Sequence, residues 1–385
     1  MIVMMVCHYD DTNSSGGLDK QARLLSRSLR RAGEDVAVFG STRKMSRAGW
    51  SSDEGVPVRL FWTYASPQIS GRYLPAALLW AAQLLIWVAL NRKRIDILHI
   101  HQIRIHAFVA ALAHKWFGIP NIIKSATGGA GADIKGIGSR KYFGPPGRRF
   151  IVRNGDCFIA TTGSIEQDLL QWGVPQEKIR IIPNGLKLRD EVVSAGAEQR
   201  FRRFLFLGRF DQDKNVLALA RAAAMLPENI PFELDFFGKG PQEKALKEIA
   251  QSDRSKRINV KGWISDPASV LGDYGYLLLP SSAEGLSNSM LEAMTHGLVP
   301  VTTRVSGCID HISPGVNGYF FEGSESEQLL DGLRKIAGID PEDWTKLSQT
   351  SMEYARARFD IEMVCGRYRD LYASLSGNGA PGGKK

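Results

Sequence analysis

The fold class of this chain follows from YLLLPSSAEGLSNSMLEAMTHGLVPVTT, residues 276–303. The apolar run at residues 276–280 predicts a buried strand, and residues 299–303 predict a second one. Between the two strands, Ser287 or Asn288 can cap a helix that begins there. A strand, a helix and a second strand in so short a stretch indicate parallel pairing through a right-handed crossover.

The same alternation of strands and helices continues in both directions along the chain. Strands are predicted at residues 2–6, 36–40, 95–101, 121–126, 157–162 and 179–184, and in the second half at residues 204–208, 232–238, 258–263, 276–280 and 299–303. The sequence therefore predicts an α/β protein with two doubly wound, Rossmann-like domains facing across a cleft. In such folds, ligands bind outside the carboxyl ends of the strands, so the cleft is the expected site.

The domain boundary is predicted from a polar stretch at residues 186–199, which is typical of a linker. It separates an N-terminal domain at residues 1–185 from a C-terminal domain at residues 200–350. Helices at residues 351–375 are expected to pack back on the N-terminal domain. The end, SGNGAPGGKK at residues 376–385, has the composition of a disordered tail.

Composition and charge restrict the class of protein. The chain has 385 residues, is 44% hydrophobic and carries a net charge of +9. Residues 1–185 contain 24 Lys and Arg against 13 Asp and Glu, which suits an anionic partner, although ordinary solubility explains the excess equally well. The four cysteines show no CxxC spacing, which argues against a disulfide scaffold or a zinc–thiolate site and favours a reducing compartment. Met1 leads into an apolar run without a basic segment, so no signal peptide is expected.

An apolar segment at residues 74–90, LPAALLWAAQLLIWVAL, raises the question of a membrane. It is slightly short for a spanning helix, which needs about 20 residues. One interpretation is a helix buried in the α/β core. The other is a helix lying on a membrane surface, with Trp80 and Trp87 on one face and Arg92, Lys93 and Arg94 at its end.

Two glutamates mark the loop and helix that follow the strand at residues 276–280. Glu284 lies on the loop and Glu292 about one turn into the helix, so their carboxylates can be up to about 12 Å apart. That distance is too long for paired acid–base chemistry on one bond, but it fits two ends of an extended ligand. Backbone N–H groups at the helix start, near Asn288, could hold an anion between them. The alternative is a capped helix with two solvated glutamates.

Two further loops carry charged or small residues at strand ends. In GRFDQDKN, residues 208–215, Arg209 and Lys214 suit a pyrophosphate. Asp211 and Asp213 form a DxD, which we discount as a metal site because no further ligand cluster accompanies it. Solvated charges at a helix start are the alternative for all four residues.

The third loop is SSGGLDK, residues 14–20, where Gly16 and Gly17 lie between the first strand and its helix. Glycines at this point allow the backbone to approach a phosphate or sugar closely, and a plain connecting turn is the alternative. Neither this loop nor GGAGAD, residues 128–133, contains GxGxxG, so a nicotinamide site is poorly supported.

Taken together, SSGGLDK, IPNG, GRFDQDKN, FGKGP and EGLSNSMLEAMTHG resemble a retaining GT-B glycosyltransferase of the family 4 (group 1) type over nearly the whole chain. The resemblance implies an acceptor-side domain at residues 1–185 and a donor domain at residues 200–350. It implies a catalytic set of Arg209 and Lys214 on the donor pyrophosphate and Glu284 on the transferred sugar. It implies donor-binding roles for Gly16, Gly17, Gly262, Trp263, Ile264, Leu286, Ser287, Asn288 and Glu292, with Glu292 on the ribose and residues 262–264 near the base. Asn184 and Gly185 match the family's hinge motif.

The sequence departs from the family pattern at one position. Many members carry a histidine near the position of Thr127, where this chain has none. His101 could face the cleft instead, or it could be a satisfied core histidine. The basic first half is expected to hold the acceptor. The basic and aromatic loop that includes Arg140 and Lys141, together with residues 74–94, predicts docking to anionic lipid headgroups or a lipid pyrophosphate, with a solvated loop as the alternative.

The resemblance implies transfer of a hexosyl or N-acetylhexosaminyl group, with retention, from a nucleotide sugar to a glycan or lipid-linked acceptor in cell-surface polysaccharide synthesis. It implies no metal and no cofactor, with UDP favoured over GDP in the donor. We expect a cytoplasmic protein, at the inner face of the cytoplasmic membrane if it docks there, and no nucleic-acid partner. The alternatives are a GT-B sugar-nucleotide epimerase, an NAD-dependent oxidoreductase, and a non-catalytic nucleotide- or glycan-binding protein.

Overall fold

A computed structural model of the chain describes residues 1–9, 17–67, 71–125, 144–188 and 196–377. The chain divides into two compact units. Unit 1 comprises residues 1–187 and 361–385, and unit 2 comprises residues 188–360. The first division falls at the start of the predicted linker, and the chain returns to unit 1 at Ile361 rather than at residue 351. Residues 189–195 of the predicted linker and residues 378–385 of the predicted tail lie outside the described residues.

Unit 1 contains a sheet in which all neighbouring strands pair in parallel except for one edge hairpin. Its strands are β1 Ile2–His8, β2 Val36–Thr42, β3 Gly49–Asp53, β4 Val56–Trp62, β5 Ile97–His101, β6 Asn121–Lys124, β7 Cys157–Ala160 and β8 Ile179–Ile181. Their order across the sheet is β3-β4-β2-β1-β5-β6-β7-β8, and β3 runs antiparallel to β4. The helices are α1 Gly17–Arg31, α2 Leu74–Asn91, α3 Ile105–Phe117, α4 Gly144–Asn154, α5 Gly163–Gln171 and α14 Ile361–Leu375.

The two faces of this sheet are covered by different helices. Alternate side chains of β1, such as Val3 and Ile2, enter separate core layers because successive residues of a strand point to opposite faces. The layer with Val3 includes residues of α2, α3, α4 and α5. The layer with Ile2 includes residues of α1 and of α14, the last described helix, which contributes Val364 and Tyr368.

The IPNG segment of unit 1 is held by contacts from two helices. Gln21 of α1 donates through Nε2 to the carbonyl oxygen of Gly185 at 2.9 Å and accepts from the Gly185 N–H at 3.0 Å. The Ile361 N–H donates to the Leu186 carbonyl oxygen at 2.9 Å. A Cβ at Gly185 would meet Ile361, so this close approach requires glycine.

Unit 2 contains a parallel sheet with the order β11-β10-β9-β12-β13-β14. Its strands are β9 Arg203–Leu207, β10 Glu233–Phe237, β11 Ile258–Gly262, β12 Tyr276–Leu279, β13 Val299–Thr303 and β14 Tyr319–Phe321. Its helices are α6 Ala197–Arg200, α7 Val216–Ala224, α8 Glu243–Ser252, α9 Ala268–Leu271, α10 Asn288–Thr295, α11 Ser306–Ile309, α12 Ser326–Ala337 and α13 Pro341–Phe359. The predicted class of two parallel-sheet α/β domains is confirmed.

The packing of helix α2 contradicts part of one interpretation of the apolar segment at residues 74–90. Trp80 is fully buried, and the Trp87 ring packs edge-on against Phe39 of β2 with centroids 4.4 Å apart. The two tryptophans therefore pack toward the core, and the prediction that they form a membrane-facing surface is wrong. By length and composition alone, the segment Leu74–Arg94 is the one candidate span within the described residues.

Candidate functional site

The predicted site residues of unit 2 follow the carboxyl ends of two neighbouring strands. β9 ends at Leu207, just before Arg209, and β12 ends at Leu279, just before the loop with Glu284. The strands pair in parallel, so their following loops emerge at the same edge of the sheet. The Ser282 N–H donates to the Asp213 carbonyl oxygen at 2.8 Å and links the two loops directly.

Lys214 and Glu284 form an ion pair at this edge. The Lys214 ammonium donates to Oε1 of Glu284, and both side chains are largely buried, with 18% and 10% of their surface exposed. The Ser281 hydroxyl donates to the same carboxylate oxygen at 2.9 Å. The Ser306 hydroxyl donates to the Glu284 carbonyl oxygen at 2.8 Å, which fixes the backbone of the loop. A cation and an acid from distant parts of the sequence thus lie in direct contact.

Arg209 has a different partner from Lys214. Its guanidinium lies 2.9 Å from Oδ2 of Asp211 and is three-quarters exposed. Asp211 also caps the following turn, because its Oδ1 accepts from the Lys214 N–H at 3.2 Å. Asp211 of the DxD therefore serves as a cap and counter-ion, and the described part of the chain contains no cluster of three or more His, Cys, Asp or Glu that could hold a metal.

The loop between Glu284 and α10 is shaped by close backbone contact. Ser287 caps α10, its Oγ accepting from the Met290 N–H at 3.4 Å, and Leu286 is buried. A Cβ at Gly307 of α11 would overlap the Gly285 carbonyl group, so the backbone of α11 packs directly against this loop. These contacts position the first turn of α10, which begins at Asn288.

Glu292 lies in the second turn of α10 and is half-buried. Its carbonyl oxygen lies 2.8 Å from Nδ1 of His296 and 2.7 Å from the Thr295 hydroxyl, which donates to it. Glu292 therefore lies on α10, the helix that the Glu284 loop positions. It follows Glu284 by eight residues in the sequence.

A third loop of the same sheet carries the predicted base-contacting residues. β11 ends at Gly262, whose φ of 81° lies in the left-handed region. Trp263 follows and is half-exposed, with the Lys239 ammonium 5.1 Å from its ring centroid. Ile264 comes next on the same loop. In FGKGP, a Cβ at Gly238 would overlap the Gly208 carbonyl oxygen, which shows how closely the ends of β9 and β10 approach.

In unit 1 the described residues include only some of the predicted positions. Gly17 is the exposed first residue of α1. Gly16, Thr127, Arg140 and Lys141 lie outside the described residues.

His101 occupies a buried position at the end of β5. Within the described residues, neither of its ring nitrogens has a hydrogen-bond partner, and burial lowers its pKa well below the usual value, so the imidazole is neutral. It is therefore a core histidine that makes no hydrogen bond to the part of the chain that the structure describes, a case that the two sequence-based interpretations did not include.

Sequence reasoning missed a polar cluster around His101. Lys124 lies opposite it in the register of β5 and β6, donates to Oδ1 of Asn184 at 2.9 Å, and has its pKa lowered by burial to about 8. His99 is 2.7 Å from the Tyr372 hydroxyl of α14, and burial lowers its pKa to about 3. The one signal available in the sequence was a lysine and two histidines within otherwise apolar strands.

Comparison with known families covers most of both units. A model of the glycosyl transferase 4-like domain matches residues 16–185, and a model of glycosyl transferases group 1 matches residues 201–338. The chain belongs to the family 4 (group 1) type of glycosyltransferases. The predicted membership of the family 4 (group 1) glycosyltransferases is thereby confirmed, and the solved structures that match place this glycosyltransferase in the GT-B fold.

Individual relatives of this glycosyltransferase are distant in sequence, but the similarity extends over most of each chain. N-acetyl-alpha-D-glucosaminyl L-malate synthase of Bacillus anthracis is 24% identical over 73% of this chain and 75% of the relative. The UDP-Gal:alpha-D-GlcNAc-diphosphoundecaprenol alpha-1,3-galactosyltransferase of Escherichia coli is 23% identical over 75% of this chain and 78% of the relative. The structure of Anabaena HepE in complex with UDP and glucose superposes with a TM-score of 0.73 at 17% identity, over 97% of this chain and 99% of that one.

Proposed function

We propose that this glycosyltransferase transfers a hexosyl or N-acetylhexosaminyl group from a UDP-sugar to a lipid-linked glycan, with retention of anomeric configuration. The observation that carries the proposal is the contact of Lys214 with Glu284, with Arg209 on the same loop as Lys214. It puts one cation suited to a leaving diphosphate next to an acid suited to the hydroxyls of the transferred sugar.

The donor extends from this contact in both directions. Arg209 and Lys214 bind the diphosphate and stabilise the charge that develops on it as the glycosidic bond breaks. Glu292 accepts hydrogen bonds from the ribose hydroxyls, and Trp263 lies against the base. UDP is favoured over GDP because the E. coli relative is described as using UDP-galactose and Anabaena HepE binds UDP.

In this proposal, retention of the anomeric configuration results from a front-face reaction. The acceptor hydroxyl attacks the anomeric carbon from the side that the diphosphate leaves. The new bond joins the acceptor oxygen to the anomeric carbon, the bond to the diphosphate oxygen breaks, and the acceptor proton passes to a diphosphate oxygen. No side chain forms a covalent intermediate.

The acceptor and the location are proposed together. The E. coli relative is described as acting on a sugar carried by diphosphoundecaprenol, which supports a lipid-linked acceptor of polysaccharide assembly. We place the reaction in the cytoplasm, at the inner face of the cytoplasmic membrane, where such a lipid meets nucleotide sugars.

The first test is a binding and turnover experiment on the whole chain. Calorimetric titration should detect UDP more strongly than GDP and give no signal with NAD, and a mass-spectrometric screen of nucleotide sugars should identify the donor. Lys214→Ala should reduce turnover strongly and lower the melting temperature only slightly. Lys244 is an exposed lysine of α8, and Lys244→Ala should change neither quantity.

Three outcomes would contradict the proposal. Binding of NAD without either nucleoside diphosphate would indicate an oxidoreductase. Release of a free epimer without an acceptor would indicate an epimerase. Full turnover in Lys214→Ala would remove the assigned leaving-group role.

A further inference from the structure

Helix α2 of unit 1 exposes an apolar ridge along its length. The ridge consists of large side chains on the outer face, with exposed fractions of 39% for Leu74, 54% for Leu78, 37% for Leu79, 59% for Ile86 and 81% for Leu90. Leu74, Leu78, Ile86 and Leu90 belong to one row of side chains at intervals of four residues or eight, and this row winds gradually around the outer face of the helix. An amphipathic surface helix carries polar residues on this face, so the ridge requires another explanation.

The inner face of α2 fixes the helix to the rest of unit 1. Trp80, Leu84 and Val88 are fully buried in the core layer of the sheet. Gln83 donates to the Trp62 carbonyl oxygen at 3.0 Å, which ties the middle of α2 to the end of β4. A helix held in this way cannot cross a bilayer without unfolding unit 1, so only its ridge is available to a partner.

Basic side chains follow the ridge at its C-terminal end. The three helices α2, α3 and α4 contain no acidic residue, and among the helices on this face of the sheet the acids, Glu166 and Asp168, lie on α5. Arg92, Lys93 and Arg94 follow α2 directly, and all three are exposed. The ends of α2 and α3 are joined where the Arg92 guanidinium lies 5.7 Å from the Phe117 ring centroid.

The neighbouring helices extend this character. α3 packs against α2, and α4 packs against α3. Exposed Lys115 and half-exposed Trp116 lie on α3, and exposed Arg149 and Arg153 lie on α4. None of α2, α3 or α4 contains an Asp or a Glu. The surface therefore combines insertable apolar side chains, an aromatic residue and cations, with no carboxylate on these helices to repel an anion.

We propose that the ridge of α2 and the basic residues beside it seat the protein on an anionic lipid bilayer. Leu78, Ile86 and Leu90 enter the boundary between headgroups and acyl chains, and Arg92–Arg94 bind lipid phosphates. Charge complementarity favours this occupant over a second copy of the chain, since two such surfaces repel each other. The inference deepens the proposed function, because it names the surface on which a lipid-linked acceptor is met.

Vesicle flotation of the full chain tests this surface without donor or acceptor. The vesicles contain phosphatidylcholine, with or without about one-third phosphatidylglycerol. We expect flotation with the anionic vesicles, at least a fivefold lower bound fraction with the neutral ones, and release at high salt. The double variant Ile86→Gln/Leu90→Gln and the triple variant Arg92→Gln/Lys93→Gln/Arg94→Gln should each lower binding to the anionic vesicles at least fivefold.

Matched controls separate the surface from general effects. Met225→Gln/Val316→Gln removes two apolar side chains of unit 2 that are about half-exposed, and it should float like the unchanged protein. Lys214→Ala should also float normally even if it abolishes turnover, so a failure of the proposed function is distinguishable from a failure of this inference. Melting temperatures confirm that the variants fold.

Either of two results would overturn the inference. One is equal flotation of the unchanged protein and the two surface variants on anionic vesicles, which includes no flotation of any of them. The other is a dimer by sedimentation that Ile86→Gln/Leu90→Gln converts to a monomer, which would assign the ridge to a second copy.

Discussion

Replacing Glu284 with glutamine separates two consequences of its contact with Lys214. In unit 2 as it stands, the carboxylate holds the ammonium that we assign to the donor diphosphate. A diphosphate must compete with that carboxylate for the lysine. Glu284→Gln keeps the size and the acceptor oxygen but removes the charge, so Lys214 becomes easier to engage, while the proposed contact to the sugar is weakened.

The magnitudes follow from the kind of hydrogen bond that is lost. A bond between charged groups contributes about 1.5–3 kcal/mol and a neutral one about 0.5–1.5 kcal/mol, a difference of about 1 kcal/mol. This corresponds to a roughly fivefold tighter binding of UDP. At the sugar, the same difference of about 1 kcal/mol should lower kcat/KM roughly fivefold.

Calorimetry with UDP and steady-state turnover with the UDP-sugar measure the two effects separately. Glu243→Gln is the matched control, since Glu243 pairs with Lys247 at 2.7 Å on the surface of α8 and should leave both quantities unchanged. UDP binding that weakens in Glu284→Gln, or turnover that stays intact, would refute the reasoning.

Three further predictions concern the site loop and the buried lysine. Gly307→Ala places a methyl group against the Gly285 carbonyl, so it should cost about 1–3 kcal/mol of stability and weaken UDP binding. Gly366→Ala, at a helical position with open space, should stabilise the protein slightly. Thermal melts measure the stability of both variants, and titration with UDP measures binding. Glu292→Ala should weaken UDP binding by about 1.5–3 kcal/mol in calorimetry, and an unchanged affinity would remove its ribose role. Lys124 has a folded pKa of about 8 against 10.5 for the free side chain, so between these values the unfolded chain binds more protons and stability rises with pH. The melting temperature of the unchanged protein relative to Lys124→Met should therefore increase from pH 8 to pH 10, and a constant difference would contradict the burial of the charged amine.

The alternation of strands and helices was predictable because each buried parallel strand is a short apolar run. The edge hairpin of unit 1 was missed, because GWSSD in β3 lacks such a run. The turn between β3 and β4 has one local signal in the sequence, Gly55. In the structure Glu54 and Gly55 have φ angles of 48° and 83°, in the left-handed region. Strand β14, with three residues, is too short to show any period.

The predicted site in unit 2 follows strand ends, which are local features of the sequence. Its central contact joins Lys214 to Glu284 across 70 positions of sequence, so only the pairing of β9 with β12 could reveal it. The orientation of α2 was hidden for a related reason. A helix that is apolar all round has no pattern to say which side meets the core, and the choice is made by Phe39 and its neighbours in the sheet.

Helix α14 makes unit 1 depend on residues that follow unit 2 in the sequence. Ile361, Val364, Tyr368 and Tyr372 of this helix fill the core beside strands made hundreds of residues earlier. While the protein is being synthesised, the part of that sheet face beside α1 stays uncovered until residues 361–375 have been translated and have left the ribosome. A premature stop shortly after residue 360 would therefore damage the beginning of the protein and spare the middle, which by then is already whole.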